Sequence, residues 1–180
     1  MTKPADMKLI DGAAHAIRRL NDAGIWVGVV TNQRGVALGL MTLDELDAVN
    51  ARLYSELDRD GSHLDAMYVC QHERGTCMCR KPLPGLLLHA QKEIRGLDFQ
   101  RAAIIGDSRS DIEAGRAVGA ATILIGSAGG NNGADYQAAS LAQALDLLSV
   151  PPLAGTSPAR PLPTGARRRV APESSPPEYG

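Results

Sequence analysis

Between Gly12 and Leu148, short apolar runs alternate with helical patterns. That alternation limits the chain to an α/β architecture, a mostly parallel sheet with helices on both faces. A helix is predicted from near Gly12 to Ala23, with Ala13, Ala16, Ile17 and Leu20 on one face and Gly24 as its stop. The run Ile25 to Val30 reads as a buried strand. Thr42-Leu43-Asp44-Glu45 is a capping box opening a helix to about Leu57, with Leu43, Leu46, Val49 and Leu53 inward. Met67 to Val69, Ala102 to Ile105 and Thr122 to Ile125 read as strands. Further helices are expected from Pro84 to about Ile94 and from a Ser140 cap to about Leu148. Ligands of such sheets bind beyond the carboxyl ends of the strands, so the strand ends are where chemistry is sought.

The chain changes character near Val150. Residues 151–180 hold eight of the eleven prolines and few large apolar side chains. They are expected to form a disordered Pro/Arg-rich tail behind a single domain over residues 1–150. Arg167, Arg168 and Arg169 offer either a docking patch or a solvated end. A formal net charge of −1 makes no electrostatic case for nucleic acid or an acidic membrane. No run reaches the ~20 apolar residues of a membrane span, and the polar start has no signal-type apolar region. A cytoplasmic protein is the expectation.

Three strand ends carry candidate chemistry. The first ends in Thr31-Asn32-Gln33, a small hydroxyl and amides suited to a phosphoryl oxygen, though a polar loop with a local Thr31 cap fits equally. The strand Ala102–Ile105 runs into Gly106-Asp107-Ser108, with Asp111 in the first turn of the next helix. Asp107, at a strand end, suits a hard cation such as Mg²⁺. Asp111 suits the helix dipole. Lys81, in Arg80-Lys81-Pro82, would neutralise phosphate if aimed into the crevice and is otherwise a solvated lysine.

All three cysteines fall within ten residues, in Cys70-Gln71-His72 and Cys77-Met78-Cys79. Clustering beside a histidine points to metal rather than disulfides. Three thiolates and one imidazole make a closed tetrahedral Zn²⁺ set, hence a structural site, with Gly75 letting the intervening loop fold back. His15, His63 and His89 have no such company.

Taken in order, Thr31-Asn32-Gln33, the Cys-x-His…Cys-x-Cys loop, Arg80-Lys81-Pro82 and Gly106-Asp107-Ser108 with Asp111 resemble the haloacid-dehalogenase superfamily. Within it, the chain is similar to the zinc-loop branch of histidinol-phosphate and D-glycero-D-manno-heptose 1,7-bisphosphate phosphatases. The resemblance spans about residues 7–148 and implies a Rossmann-like fold. It implies a phosphoric monoester hydrolase acting on a small sugar phosphate, with catalytic Mg²⁺ and structural Zn²⁺, working as a monomer. Carried over, Thr31 and Asn32 would hold the phosphoryl group with Gln33 beside them, and Lys81 would offset its charge. Asp107 would bind Mg²⁺ and Arg80 would contact the substrate beyond the phosphate. Cys70, His72, Cys77 and Cys79 would bind zinc.

One departure is large. The family's nucleophile stands in an Asp-x-Asp motif at the end of a central strand, well before the position of Asp11-Gly12, yet only ten residues precede Asp11. Asp58-Arg59-Asp60-Gly61 spells most of that motif but ends an amphipathic helix. The chain as written is therefore expected to lack the first strand and its nucleophile. Two readings follow: an active heptose-bisphosphate or histidinol-phosphate phosphatase whose translation starts upstream, or a module that binds a phosphorylated ligand without turnover. A third, an interaction domain organised by zinc, leaves Thr31, Lys81 and Asp107 without a role.

Overall fold

Helix and strand follow one another as the periodicity requires. The computed structural model describes residues 4–126, 133–148 and 167–170. The helices are α1 Ala13–Asp22, α2 Leu43–Arg59, α3 Gly85–Glu93, α4 Arg109–Ala117 and α5 Leu141–Leu148. The strands are β1 Gly28–Asn32, β2 Ala66–Cys70, β3 Ala103–Gly106, β4 Ala121–Ile125, β5 Tyr136–Ala138 and β6 Arg167–Val170. The chain divides into two units, one holding the residues up to Arg80 together with β6, the other beginning at Lys81.

In the first unit the sheet order is β1-β2-β6, with parallel pairing throughout. One aspartate sets its register. Asp65 donates its N–H to Val27 O at 2.8 Å, and its carboxylate accepts the Val27 N–H at 2.7 Å. Val27 is thereby closed off, and the ladder begins one residue later, at Gly28 opposite Ala66. This is why β1 lies further along the chain than the apolar run predicts: Ile25 is exposed, and pairing continues through Thr31 to Asn32. The shift carries Thr31 and Asn32 onto the strand itself, opposite Val69 and Cys70.

The α2 cap forms as predicted, with Thr42 Oγ1 accepting the Glu45 N–H at 3.1 Å and Glu45 Oε2 accepting the Thr42 N–H at 2.8 Å. Leu46, Val49 and Leu57 are buried against Leu64, Met67 and Val69 of the β2 segment, and Ala14 of α1 joins the same core. Leu43, predicted to face inward, is 48% exposed instead. As the first helical residue it precedes the turn that packs on the sheet. Asp58-Arg59-Asp60-Gly61 closes this helix, and Gly61 takes the left-handed conformation (φ 68°) that ends it.

In the second unit the order is β3-β4-β5, again parallel. A second aspartate repeats the register device: Asp135 accepts both the Thr122 N–H at 2.8 Å and the Thr122 hydroxyl at 2.7 Å. That bond positions the short strand β5, which its polar sequence Tyr-Gln-Ala does not announce. Ile123, Ala138 and Ala144 form the core under α5, whose start is capped by the Ser140 hydroxyl. Of the predicted tail, only Arg167–Val170 falls among the described residues; its backbone pairs with Ala66–Val69 of β2. No helix among the described residues is long and apolar enough to cross a membrane.

Gly115 decides how closely α4 lies on the second sheet. A Cβ there would come within 2.9 Å of Ile104 Cβ and 2.9 Å of Thr122 Cγ2, both close to the strand backbone. Alanine has a helix propensity better than glycine by about 1 kcal/mol, but overpacking costs about 1–3 kcal/mol. Gly115→Ala is therefore expected to lower the denaturation midpoint, as measured by urea unfolding. An unchanged or raised midpoint would show that α4 can move away from the sheet.

Candidate functional site

The metal candidate stands at the end of β2. The strand is buried along its whole length and delivers Cys70 at its last position. The chain then turns through His72 and a short polar loop before returning with Cys77 and Cys79. The loop is closed from inside by Glu73, whose carbonyl accepts the Thr76 hydroxyl at 2.9 Å and the Thr76 N–H at 3.4 Å. Gly75 sits at its apex with φ 77°. The three sulfurs and the imidazole come together, their ligand atoms all within 4.8 Å of one another.

Those distances test the metal directly. Zinc bonds of about 2.3 Å to sulfur and about 2.0 Å to nitrogen, spread tetrahedrally, put the donor atoms about 3.5–3.8 Å apart. Cys70 Sγ lies 3.6 Å from Cys77 Sγ and 3.7 Å from His72 Nδ1. Cys77 and Cys79 sulfurs are 3.4 Å apart, and His72 Nδ1 is 3.2 Å from Cys79 Sγ. The set is consistent with zinc, with Nδ1 as the imidazole donor. Burial pushes the Cys70 and Cys79 thiols up from the ordinary thiol range. Burial also raises Cys77, but hydrogen bonds from Cys79 and the Arg80 N–H bring it net below that range. A divalent cation relieves this crowding, because a coordinated thiol gives up its proton.

The first strand end is hooked to this centre. The Gln33 N–H donates to Cys70 O at 2.7 Å, so it is not one of the free amides that the sequence reading places there. The Gln33 side-chain amide donates to Thr31 Oγ1 at 3.2 Å. Thr31, Asn32 and Gln33 are all half-buried. Arg80, half-buried as well, donates from Nη1 to His72 O at 3.4 Å.

In the second unit Asp107 follows β3 directly and is exposed. Gly106 is needed for a reason other than a sharp turn. A Cβ at Gly106 would lie 2.3 Å from Asp111 Cβ, so the missing side chain is what lets Asp111 fold back over the strand end. Asp111 is buried and accepts the Ser108 hydroxyl at 2.7 Å and the Ser108 N–H at 3.1 Å, completing a capping box. Its other oxygen meets the Lys81 ammonium at 2.5 Å, with both side chains nearly enclosed. Burial alone would raise the Asp111 carboxyl, but the Lys81 ammonium, followed by Ser108, holds it below the usual carboxylate range. The sequence reading gives Asp111 only a helix-dipole role and misses this pair. The Ser-x-x-Asp spacing announces the cap, but nothing in the spacing links Asp111 to Lys81. A separate cavity of the second unit, lined by Arg116, Asp135 and Tyr136 among others, contains none of the predicted residues.

A family model described as HAD-hydrolase-like matches residues 78–148. The chain is 38% identical over 121 residues to the D-glycero-beta-D-manno-heptose-1,7-bisphosphate 7-phosphatase of Rhodopseudomonas palustris, covering 63% of this chain and 67% of that one. It is 36% identical over 138 residues to the D-glycero-alpha-D-manno-heptose-1,7-bisphosphate 7-phosphatase of Mycobacterium bovis, covering 73% of each. Among solved structures, D,D-heptose 1,7-bisphosphate phosphatase from B. bronchiseptica, complexed with magnesium and phosphate, superposes with a TM-score of 0.75 at 28% identity, over 82% of this chain and 87% of that one. A putative HAD-like phosphatase from Mesorhizobium loti gives 0.70 at 33% identity, over 82% and 75%.

Two outcomes are expected. The purified chain carries about one zinc per molecule by elemental analysis, and Cys77→Ser loses it together with several degrees of melting temperature. Retention of zinc by that variant would remove Cys77 from the ligand set. Because the folded-state pKa of Asp111 is depressed, its stabilisation is present above the unfolded value of about 3.9 and is lost as pH falls through the lower folded value. Asp111→Asn should therefore cost about 3 kcal/mol near neutrality by leaving Lys81 buried without its carboxylate. The variant should also show a shallower fall in stability below pH ~4. Equal acid slopes for the two proteins would show that Asp111 is not the titrating group.

Proposed function

Because the chain belongs to the D-glycero-D-manno-heptose-1,7-bisphosphate phosphatase family of haloacid-dehalogenase-like hydrolases, we propose that its substrate is a heptose bisphosphate from which a phosphate monoester is cleaved. The observation that carries this reading is the four-ligand cluster at the end of β2, running straight into Arg80 and Lys81. The closed ligand set favours zinc in a structural role, since no position is left for water or substrate.

The residue roles follow from chemistry and placement. Thr31 and Asn32, at the carboxyl end of β1, donate to phosphoryl oxygens. Gln33 orients the Thr31 hydroxyl through its side-chain amide. Lys81 supplies a charge held in one position by Asp111, and a fixed cation stabilises a developing phosphoryl charge without reorganising. Arg80, held at His72 O, contacts the part of the sugar beyond the reacting phosphate. Asp107 supplies a carboxylate to Mg²⁺, which would offset phosphate charge when bound.

Hydrolysis in this family requires a carboxylate nucleophile on a rigid strand end. No described strand ends in an Asp-x-Asp pair, and Asp58 and Asp60 lie at the end of a helix. We therefore assign the residues above to binding and orienting the phosphorylated ligand, and we name no nucleophile among the described residues. The test is a pair of assays. Calorimetry with heptose 1,7-bisphosphate should give saturable binding, and phosphate release should be measured on the same protein with Mg²⁺. Both heptose anomers and histidinol phosphate belong in the substrate panel. A folded chain that neither binds nor hydrolyses any of them would overturn the assignment.

A further inference from the structure

The turn that follows β1 touches the metal loop at two points, and the second has no place in the chemistry above. The first is the backbone bond from the Gln33 N–H to Cys70 O, at 2.7 Å. The second is an ion pair: Arg34 Nε lies 2.8 Å from Glu73 Oε1, with each side chain 37% exposed. Glu73 is the residue after the ligand His72, and its position is fixed from several sides. Its carboxylate accepts the Arg74 N–H at 2.8 Å, and its carbonyl accepts Thr76.

We infer that Arg34 and Glu73 are positioning residues whose ion pair fastens the turn after β1 to the metal loop, so that loading of the four-ligand cluster sets the order of that turn. An isolated pair of this exposure contributes little, because water screens it and two flexible side chains must be held. This pair differs in two respects. Its acid is held by backbone bonds inside a short loop whose two ends are metal ligands, so ordering it costs little once the loop is closed. Its base is the neighbour of Gln33, which is already tied to Cys70, so the second contact forms within one structure, at high effective concentration. Loss of the metal releases both ends of the loop and with them the anchor of Glu73. The turn from Gln33 to Leu40, which holds itself mainly through bonds such as Leu40 N–H to Gly35 O at 2.9 Å, then keeps the Gln33 bond to the strand and the packing of Val36 on the core, without the ion pair.

The functional consequence rests on the reading of Thr31 to Gln33 as a phosphoryl-binding turn; the ordering itself does not. Amide hydrogen exchange over residues 33–40 is to be measured on zinc-loaded protein for the wild type and for Glu73→Gln, Arg34→Met and Arg34→Lys. The first two variants should exchange about two- to five-fold faster in this turn while retaining zinc, and Arg34→Lys should stay close to wild type because it keeps the charge. Stripping zinc from the wild type should raise exchange in the turn by at least as much, and stripping it from Glu73→Gln should add less. Equal protection in all four loaded proteins would overturn the inference, and that comparison holds even if the stripped form unfolds. Titration with inorganic phosphate separates the two readings. Exchange that follows the latch in a protein that binds no phosphate supports the latch and removes the phosphoryl-binding role of the turn. Phosphate affinity that falls in Glu73→Gln and recovers in Arg34→Lys supports both.

Discussion

Three sulfurs and one ring nitrogen packed within 4.8 Å are a costly arrangement for a protein interior. Left as thiols, they offer weak hydrogen bonds in a space where burial already opposes ionisation of Cys70 and Cys79. The loop that brings them together has no helix or strand of its own and a glycine at its apex. Its closure has to be offset by something stronger than side-chain packing, and a cation bonded to four donors would supply that. Much of the first unit's functional face follows from this one constraint. Cys70 is both a candidate ligand and the last residue of β2, so the cluster is continuous with a fully buried strand. Its carbonyl takes the Gln33 N–H, which sets where β1 turns, and the His72 carbonyl takes Arg80.

A different constraint governs the start of α4. Two carboxylates four residues apart meet opposite environments. Asp107 is exposed, whereas Asp111 is enclosed against Lys81. The enclosed pair is neutral overall, so it does not by itself attract an anion from a distance. What it provides is placement: an ammonium whose carboxylate partner is fixed by the Ser108 hydroxyl and N–H. Removing Asp111 would leave that charge enclosed without the partner that holds it in position.

The sequence was legible where a single local rule determined the outcome. The Thr42–Glu45 box, the Gly24 and Gly61 stops and the cysteine spacing each involve neighbours along the chain, and each appears in the structure. It was less legible where a distant residue intervened. Apolar content places β1 at Ile25–Val30, but Asp65 closes off Val27 and moves the ladder toward Asn32. β5 is polar and depends on the Asp135–Thr122 bond, so no periodicity could reveal it. The Lys81–Asp111 and Arg34–Glu73 contacts join residues thirty or more positions apart, and charge pairs of that kind leave no trace in spacing.

Binding a phosphate ester and cleaving it make separate demands on this architecture. Hydroxyl and amide groups that meet a phosphoryl group equally in both states stabilise the ground state as well as the transition state, and uniform stabilisation of that kind leaves the chemical barrier where it was. The barrier falls when an attacking carboxylate is held in line with the phosphorus, which needs a rigid strand end rather than a helix terminus such as Asp58-Arg59-Asp60. Under the proposed function, the Thr31 turn and Arg80 therefore bear on recognition independently of turnover. The candidate metal cluster is joined to the Thr31 turn through Cys70, Gln33 and the Arg34–Glu73 pair, so under the proposed function it bears on the placement of the phosphoryl-binding groups rather than on the bond that breaks.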